Sequence, residues 1–313
     1  METASRASLL VTKTLPIDEA AMRAHVMRPS HTEGVTSSTG PQEGTPYPKL
    51  RFRSVSDYYF DVKGFGDALH AALKNSVAGY VMQLRQSGAT IYTLQWEWAK
   101  TPADGGEGWI PSVRMHVASC SKLITAIAMT KLLNDKPISY DTPIISHLPA
   151  YWAKGPNVDK ITFRHLMTHK SGFNYEVDSS ASDYGFMKSQ VAAGVTHLGQ
   201  YWYQNMNFGL CRILIATISG SVSPDATFDD TTWDYVTIQA YLKYVKDHVF
   251  TPAKVSGPSL DHPAADALAY NFPVSGNGWN SGDLSTVSGG AGWLCRLTIY
   301  SRSWAPSAGK VPS

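Results

Sequence analysis

The chain has 313 residues, 43% of them hydrophobic and 17% charged, with a net charge of +2. This is the composition of a globular protein, long enough to bury a core without disulfides or a structural metal. A near-balanced charge without Lys/Arg runs excludes a nucleic-acid footprint or a basic membrane face, and no apolar run approaches the roughly 20 residues of a membrane span.

Residues 1–52 are rich in Ser, Thr, Gly and Pro and end in HTEGVTSSTGPQEGTPYP. They read as a disordered extension. The patch Leu9-Leu10-Val11 is too short for the apolar core of a signal peptide, so no secretion signal is read and the cytoplasm is favoured. The three cysteines, Cys120, Cys211 and Cys295, are sparse and odd in number. They are expected to be free, buried thiols, which also mildly favours a reducing compartment.

A structured region, 53–295, follows. Phe65, Ala68, Leu69, Ala72 and Leu73 recur at helical spacing and predict an amphipathic helix over 61–74. AGYVMQLR and TIYTLQWEW predict an antiparallel hairpin about Gln86-Ser87-Gly88, with Tyr92, Leu94, Trp96 and Trp98 on one face and Thr93, Gln95 and Glu97 on the other. From Ser119 the chain is apolar almost all round, which predicts a buried helix over 119–135, stopped by Pro137. Thr162 caps the short helix FRHLMTH, which closes near Gly172. NFGLCRILIATIS is a second buried helix ending at Gly220, and a further amphipathic helix spans about 237–249 before Pro252. One helix, two strands and then many helices indicate an α+β fold, an antiparallel sheet flanked by helices with a helical region attached. Residues 296–313 read as an irregular polar tail.

The strongest chemical signal is Ser119-Cys120-Ser121-Lys122. A serine hydroxyl is a poor nucleophile until a neighbour removes its proton. At a helix start, residues i and i+3 share a face, so Lys122 can reach Ser119. The positive end of the helix dipole and burial both loosen the lysine proton. Ser307-Ala308-Gly309-Lys310 has the same spacing but no helix after it, and is read as chance. Tyr203-Gln204-Asn205 stands just before a buried helix, where a phenol can relay a proton and an amide can hydrogen-bond a substrate carbonyl or the lysine. Its neighbours Tyr201 and Trp202 either line an acyl pocket or pack the core.

Other patterns carry less. His165 and His169 have metal-ligand spacing, but no acidic or Cys partner accompanies them, so a structural role is expected and no metal. Gly64-Phe65-Gly66 and Gly289-Gly290-Ala291-Gly292 lack the full spacing of a nucleotide-binding loop, so no cofactor is expected, and Gly172 and Gly292 are assigned to tight turns. No G-x-S-x-G elbow is present, which argues against the α/β-hydrolase route to ester cleavage.

In chain order, SCSK, DTPIISHLP, ITFRHLMTHKSGF, YQN and GGAGW resemble the β-lactamase-like serine hydrolases, from about residue 60 to about residue 295. That group includes class C β-lactamases, D-alanyl-D-alanine peptidases and related esterases. The resemblance implies a β-lactamase/transpeptidase-like fold, with Ser119 as acylated nucleophile and Lys122 as its base. Tyr203 would be the second acid/base, and Asn205 a contact to substrate and to Lys122. The implied activity is cleavage of a small-molecule ester, amide or lactam through an acyl-enzyme. Acyl transfer on the same residues is one alternative, and a catalytically impaired homologue or binding module is another. The family also carries a Lys/His-x-Gly strand late in the chain, at the edge of the site. This chain instead runs LCRLTIYSRSWAPSAGKVPS. The resemblance therefore predicts that the C-terminal strands are missing and that the row Tyr92, Leu94, Trp96, Trp98 lies partly uncovered.

Overall fold

The computed structural model describes residues 26–27, 36–39, 50–51, 59–86, 89–178, 181–256, 258–260 and 266–297. Most of the 1–52 extension, Ser87 and Gly88 of the hairpin turn, and Ser307–Lys310 lie outside the described residues. The chain divides into two units, the described residues of Met1–Val113 with Asp266–Trp279, and those of Arg114–Ala265 with Asn280–Ser303.

In the first unit Asp61 starts the helix α1 (Val62–Leu73), its side chain accepting the Gly64 N–H at 3.0 Å. The hairpin strands are β5 (Gly79–Gln86) and β6 (Ala89–Lys100), antiparallel with Tyr80 opposite Trp96, Met82 opposite Leu94 and Leu84 opposite Tyr92. Before them, β1 (Val26–Met27), β3 (Leu50–Arg51) and β4 (Tyr59–Phe60) form a small antiparallel sheet in the order β1-β4-β3. β2 (Thr36–Thr39) joins β6 in parallel, and β7 (Glu107–Gly108) pairs with the far end of β6. Val62 and Leu69 of α1 pack on Tyr92 and Leu94. Gly66 permits this approach, since a Cβ there would stand 2.6 Å from the Tyr92 hydroxyl. The row expected to lie partly uncovered is divided. Tyr92 and Leu94 are 1% and 0% exposed under α1, while Trp96 and Trp98 are half-buried.

The second unit is mainly helical. Its helices are α2 (Ser121–Asp135), α3 (Phe163–Met167), α4 (Tyr184–Ala193), α5 (Met206–Ile218) and α6 (Asp230–Val245), the last continued by a π-helical turn, Lys246–Phe250. Every residue of α5 is buried, as a helix apolar on all sides requires, and α2, α3, α4 and α6 pack around it. Arg212, the charged residue inside α5, reaches the Asp234 carboxylate at 2.7 Å and the Ser285 and Thr286 carbonyls at 3.3 and 3.4 Å. β8 (Arg114–His116) and β9 (Leu294–Arg296) form a two-stranded antiparallel sheet with Met115 opposite Cys295.

Several boundaries differ from the sequence reading. α2 begins at Ser121 because Ser119 sits in a 3-10 turn, Ala118–Cys120. α6 begins at Asp230, seven residues before the expected start at 237, because Asp229 caps it by accepting the Thr232 N–H at 2.7 Å. α4 was not anticipated, although its Asp183 cap is a recognisable start signal. The three cysteines are free; Cys211 and Cys295 are buried, as expected, but Cys120 is exposed, since it lies in the 3-10 turn Ala118–Cys120, none of whose residues is buried. Among the described residues, no helix is long and apolar enough to cross a membrane.

Candidate active site

Ser119 and Lys122 are brought together by the turn between β8 and α2. Ala118 has φ 44°, a left-handed conformation that is costly for a residue with a Cβ, directly before the serine. The chain then tightens through the 3-10 turn into α2, which leaves the Ser119 side chain exposed and turns Lys122, only 7% exposed, inward. Lys122 Nζ lies 3.1 Å from Ser119 Oγ, 2.6 Å from Asn205 Oδ1 and 2.6 Å from the Gly290 carbonyl. Its ammonium is 4.9 Å from the centroid of the Tyr203 ring. Burial pulls the Lys122 pKa down to about 8.

The loop before α5 supplies the opposite wall. Tyr203 Oη is 2.6 Å from Ser119 Oγ and 3.3 Å from Asn205 Oδ1. Burial raises its pKa, so the phenol is protonated at neutral pH. Asn205 caps α5 through its backbone carbonyl, which accepts from Phe208 and Gly209 at 3.0 and 3.1 Å. All four residues singled out from sequence therefore come together: Lys122 and Tyr203 both reach the Ser119 hydroxyl, and Asn205 reaches Lys122 and Tyr203. Of the adjoining aromatics, Tyr201 is 59% exposed and Trp202 is half-buried with its indole N–H on the Val177 carbonyl at 3.3 Å.

The segment 289–293 closes the third side, and its role was only partly visible in sequence. Gly289 has φ 90°, and a Cβ there would stand 2.3 Å from the Phe208 carbonyl oxygen. Only glycine therefore lets this segment lie against α5. A chain of hydrogen bonds fixes it to α2. The Trp293 indole N–H donates to Tyr241 Oη at 3.1 Å, Tyr241 Oη meets Thr125 Oγ1 at 2.7 Å, and Thr125 donates to the Gly289 carbonyl at 2.7 Å. Ser121 Oγ accepts the Trp293 N–H at 3.1 Å. Thr125 stands one helical turn beyond Lys122, a spacing that places both on the same face. The GGAGW signature hints at the segment, but nothing local in sequence joins it to Thr125 or Tyr241.

The two histidines separate in role. His165 closes a capping box on α3, its Nδ1 accepting the Thr162 N–H at 3.1 Å. His169, with φ 55°, lies with its ring 4.5 Å from that of Tyr203. Each imidazole is thus engaged within the protein, and among the described residues no His, Cys, Asp and Glu side chains gather as a metal site.

Comparison with known proteins bears on this arrangement. A putative penicillin-binding protein, PbpX, of Bacillus subtilis is 25% identical over 146 residues, covering 46% of this chain and 32% of that protein. An acyltransferase, calJ, of Penicillium decumbens is 22% identical over 220 residues, covering 60% of this chain and 50% of that one. The chain thus matches a third to a half of the length of these relatives. The structure of a β-lactamase/D-alanine carboxypeptidase from Pseudomonas syringae superposes with a TM-score of 0.57 at 17% identity, covering 75% of this chain and 61% of that one, and so shares the β-lactamase/transpeptidase-like fold. The family model described as Beta-lactamase matches residues 65–293, and the chain belongs to that family of serine hydrolases.

Proposed function

We propose that the chain cleaves a small-molecule ester, amide or lactam through an acyl-enzyme on Ser119. The observation that carries this reading is the position of Ser119 Oγ between two proton-handling groups, Lys122 Nζ at 3.1 Å and Tyr203 Oη at 2.6 Å. When Lys122 is neutral, two of its hydrogens go to Asn205 Oδ1 and the Gly290 carbonyl, and its lone pair faces the Ser119 hydroxyl. Lys122 takes the Ser119 proton as Oγ bonds to the substrate carbonyl carbon. Backbone N–H groups at the start of a helical turn lack intrahelical acceptors, and the Ser119 N–H, in the 3-10 turn before α2, would receive the negative oxygen. As the scissile C–O or C–N bond breaks, Tyr203 supplies the proton to the leaving group, a task suited to a phenol held protonated by burial. Lys122 then returns its proton to the Tyr203 phenolate, Asn205 Oδ1 being in contact with both groups. Water attacks the acyl carbon by the reverse sequence and frees Ser119.

The test is intact-mass analysis after incubation with a fluorophosphonate. One adduct is expected on Ser119, lost in Ser119→Ala and retained in Ser121→Ala and Ser307→Ala. Label on Ser307, or labelling undiminished in Ser119→Ala, contradicts the assignment; an unlabelled native chain supports a catalytically impaired homologue or binding module instead. A second reading, acyl transfer to an acceptor other than water, is favoured by the calJ relative, an acyltransferase. Added alcohol or amine acceptors separate the two, since transfer diverts the acyl group without raising free acid.

A further inference from the structure

His169 touches almost every position of the segment that presents Tyr203. Its backbone carbonyl accepts the Trp202 N–H at 2.9 Å. Its ring lies 4.5 Å from the Tyr203 ring at 33°, meets Tyr201 edge-on at 6.2 Å, and lies 5.3 Å from Phe208. Its Nδ1 faces two donors, the Gln204 backbone N–H and the Asn207 side-chain amide, each at 3.3 Å. Phe208 in turn lies 5.9 Å from Lys122 Nζ, so the same imidazole sits behind both proton-handling groups.

We propose that His169 is a positioning residue which, by accepting through Nδ1 and packing on the phenol ring, holds the Tyr203 hydroxyl on Ser119 Oγ. The proposal rests on Ser119 and Tyr203 acting as read above. Two donors converge on Nδ1, so that nitrogen carries no proton and the imidazole is the Nε2–H tautomer. The surroundings enforce this. Burial first, then the Lys122 charge, depress the His169 pKa to about 4. The groups facing the ring are Lys122 from α2, Tyr201 and Tyr203 from the loop, and Asn207 and Phe208 from α5, and none of them is an acid that would hold a proton on it. A ring that stayed neutral only by accident of exposure would lack such a set of donors.

The left-handed backbone at His169 selects the variants, since Gly and Asn both adopt it at little cost. His169→Gly removes the ring and the acceptor, whereas His169→Asn restores an acceptor at nearly the same place. Fluorophosphonate labelling of Ser119 is expected to slow on the order of 10-fold in His169→Gly and to recover most of that in His169→Asn. Combined with Tyr203→Phe, which leaves no hydroxyl to position, the same His169→Gly change is expected to cost less than about twofold. Equal losses in both backgrounds would mean that His169 merely supports the fold, and would overturn the proposal. Two NMR readouts need no activity. In the native chain the His169 imidazole is expected to be the Nε2–H tautomer at pH 6, and a charged ring or the Nδ1–H form overturns the proposal. The Tyr203 phenol is expected to titrate above its ordinary value and to fall back toward about 10 in His169→Gly; no change there also overturns it. A native chain that fails to label at Ser119 sinks the acyl-enzyme reading alone, and the NMR measurements then decide the placement of Tyr203.

Discussion

Lys122 answers two opposing demands, burial deep enough to loosen its proton and hydrogen bonds enough to keep its amine aimed. Arginine keeps the charge but cannot give up a proton at any usable pH, so Lys122→Arg is expected to lose roughly 10²–10⁴ in turnover, nearly as much as Lys122→Ala. An arginine variant with near-native turnover would reduce Lys122 to a fixed charge. In the proposed mechanism the working form is the unprotonated amine, and burial lowers the Lys122 pKa to about 8. The acylation rate should therefore climb about tenfold per pH unit below that value and level off above it. His169, neutral throughout this range, adds no second limb. Stability carries the matching sign: because the folded pKa is depressed, the folded chain binds fewer protons than the unfolded chain between about 8 and 10.5, and Lys122 contributes stability that rises with pH across that window. The proposed mechanism wants the Tyr203 hydroxyl for a proton transfer, while its ring packs on His169. Tyr203→Phe should accordingly depress kcat more than it raises KM, and the reverse pattern in steady-state kinetics would make Tyr203 a pocket wall.

At the scale of elements, the site depends on how segment 289–293 is sewn to α2 and α5. Thr125→Val keeps the shape of the side chain but strips the donor from the buried Gly289 carbonyl and the partner from Tyr241. The expected loss is about 1–3 kcal/mol of unfolding free energy, read from denaturant melts, because a buried polar group left unpaired costs its desolvation. Turnover should fall as well, since the neighbouring Gly290 carbonyl orients Lys122. Gly289→Ala meets both a positive φ and a backbone oxygen 2.3 Å from the new Cβ. That change should cost roughly 1–3 kcal/mol or more, and a variant as stable as the parent would show that the segment can lift away from α5 freely.

Across the whole molecule, each unit carries its own core. The helical unit centres on α5, in which all residues are buried, while the first unit gathers a smaller cluster about Val62, Tyr92 and Leu94. Hydrogen exchange under native conditions should find the slowest amides in Met206–Ile218 and faster exchange in β5 and β6, since protection follows burial and contact with neighbouring elements. Uniform protection across both units would show that their stabilities are not separable. The proposed catalytic residues Ser119, Lys122, Tyr203 and Asn205 all lie within the helical unit. Destabilising substitutions such as Gly66→Ala, where the new Cβ meets the Tyr92 hydroxyl, should therefore lower protection in α1 and β6 before they affect α5.

The sequence by itself determined the family, the proximity of Ser119 and Lys122, and most of the helices. Ser119 and Lys122 were legible because a helix start fixes i and i+3 on one face, and α5 because thirteen consecutive residues without a polar face admit only burial. Thr162 was legible as a cap because capping is a local hydrogen bond. The α4 helix and the early start of α6 were missed although their Asp183 and Asp229 caps are equally local, since α4 shows no clean apolar stripe and the buried residues of α6 fall mostly from Thr237 onward. What only the tertiary structure decided spans long chain separations: Tyr203 on Ser119, Gly290 on Lys122, Thr125 and Tyr241 on the glycine segment, and His169 behind the phenol. Tyr92 and Leu94 likewise needed α1 laid over them before their burial could be known. Such contacts leave no periodicity and no spacing in the chain, because they depend on how packed elements bring distant residues to one place, and the hydrogen-bond and burial energies that fix them exist only once that packing is complete.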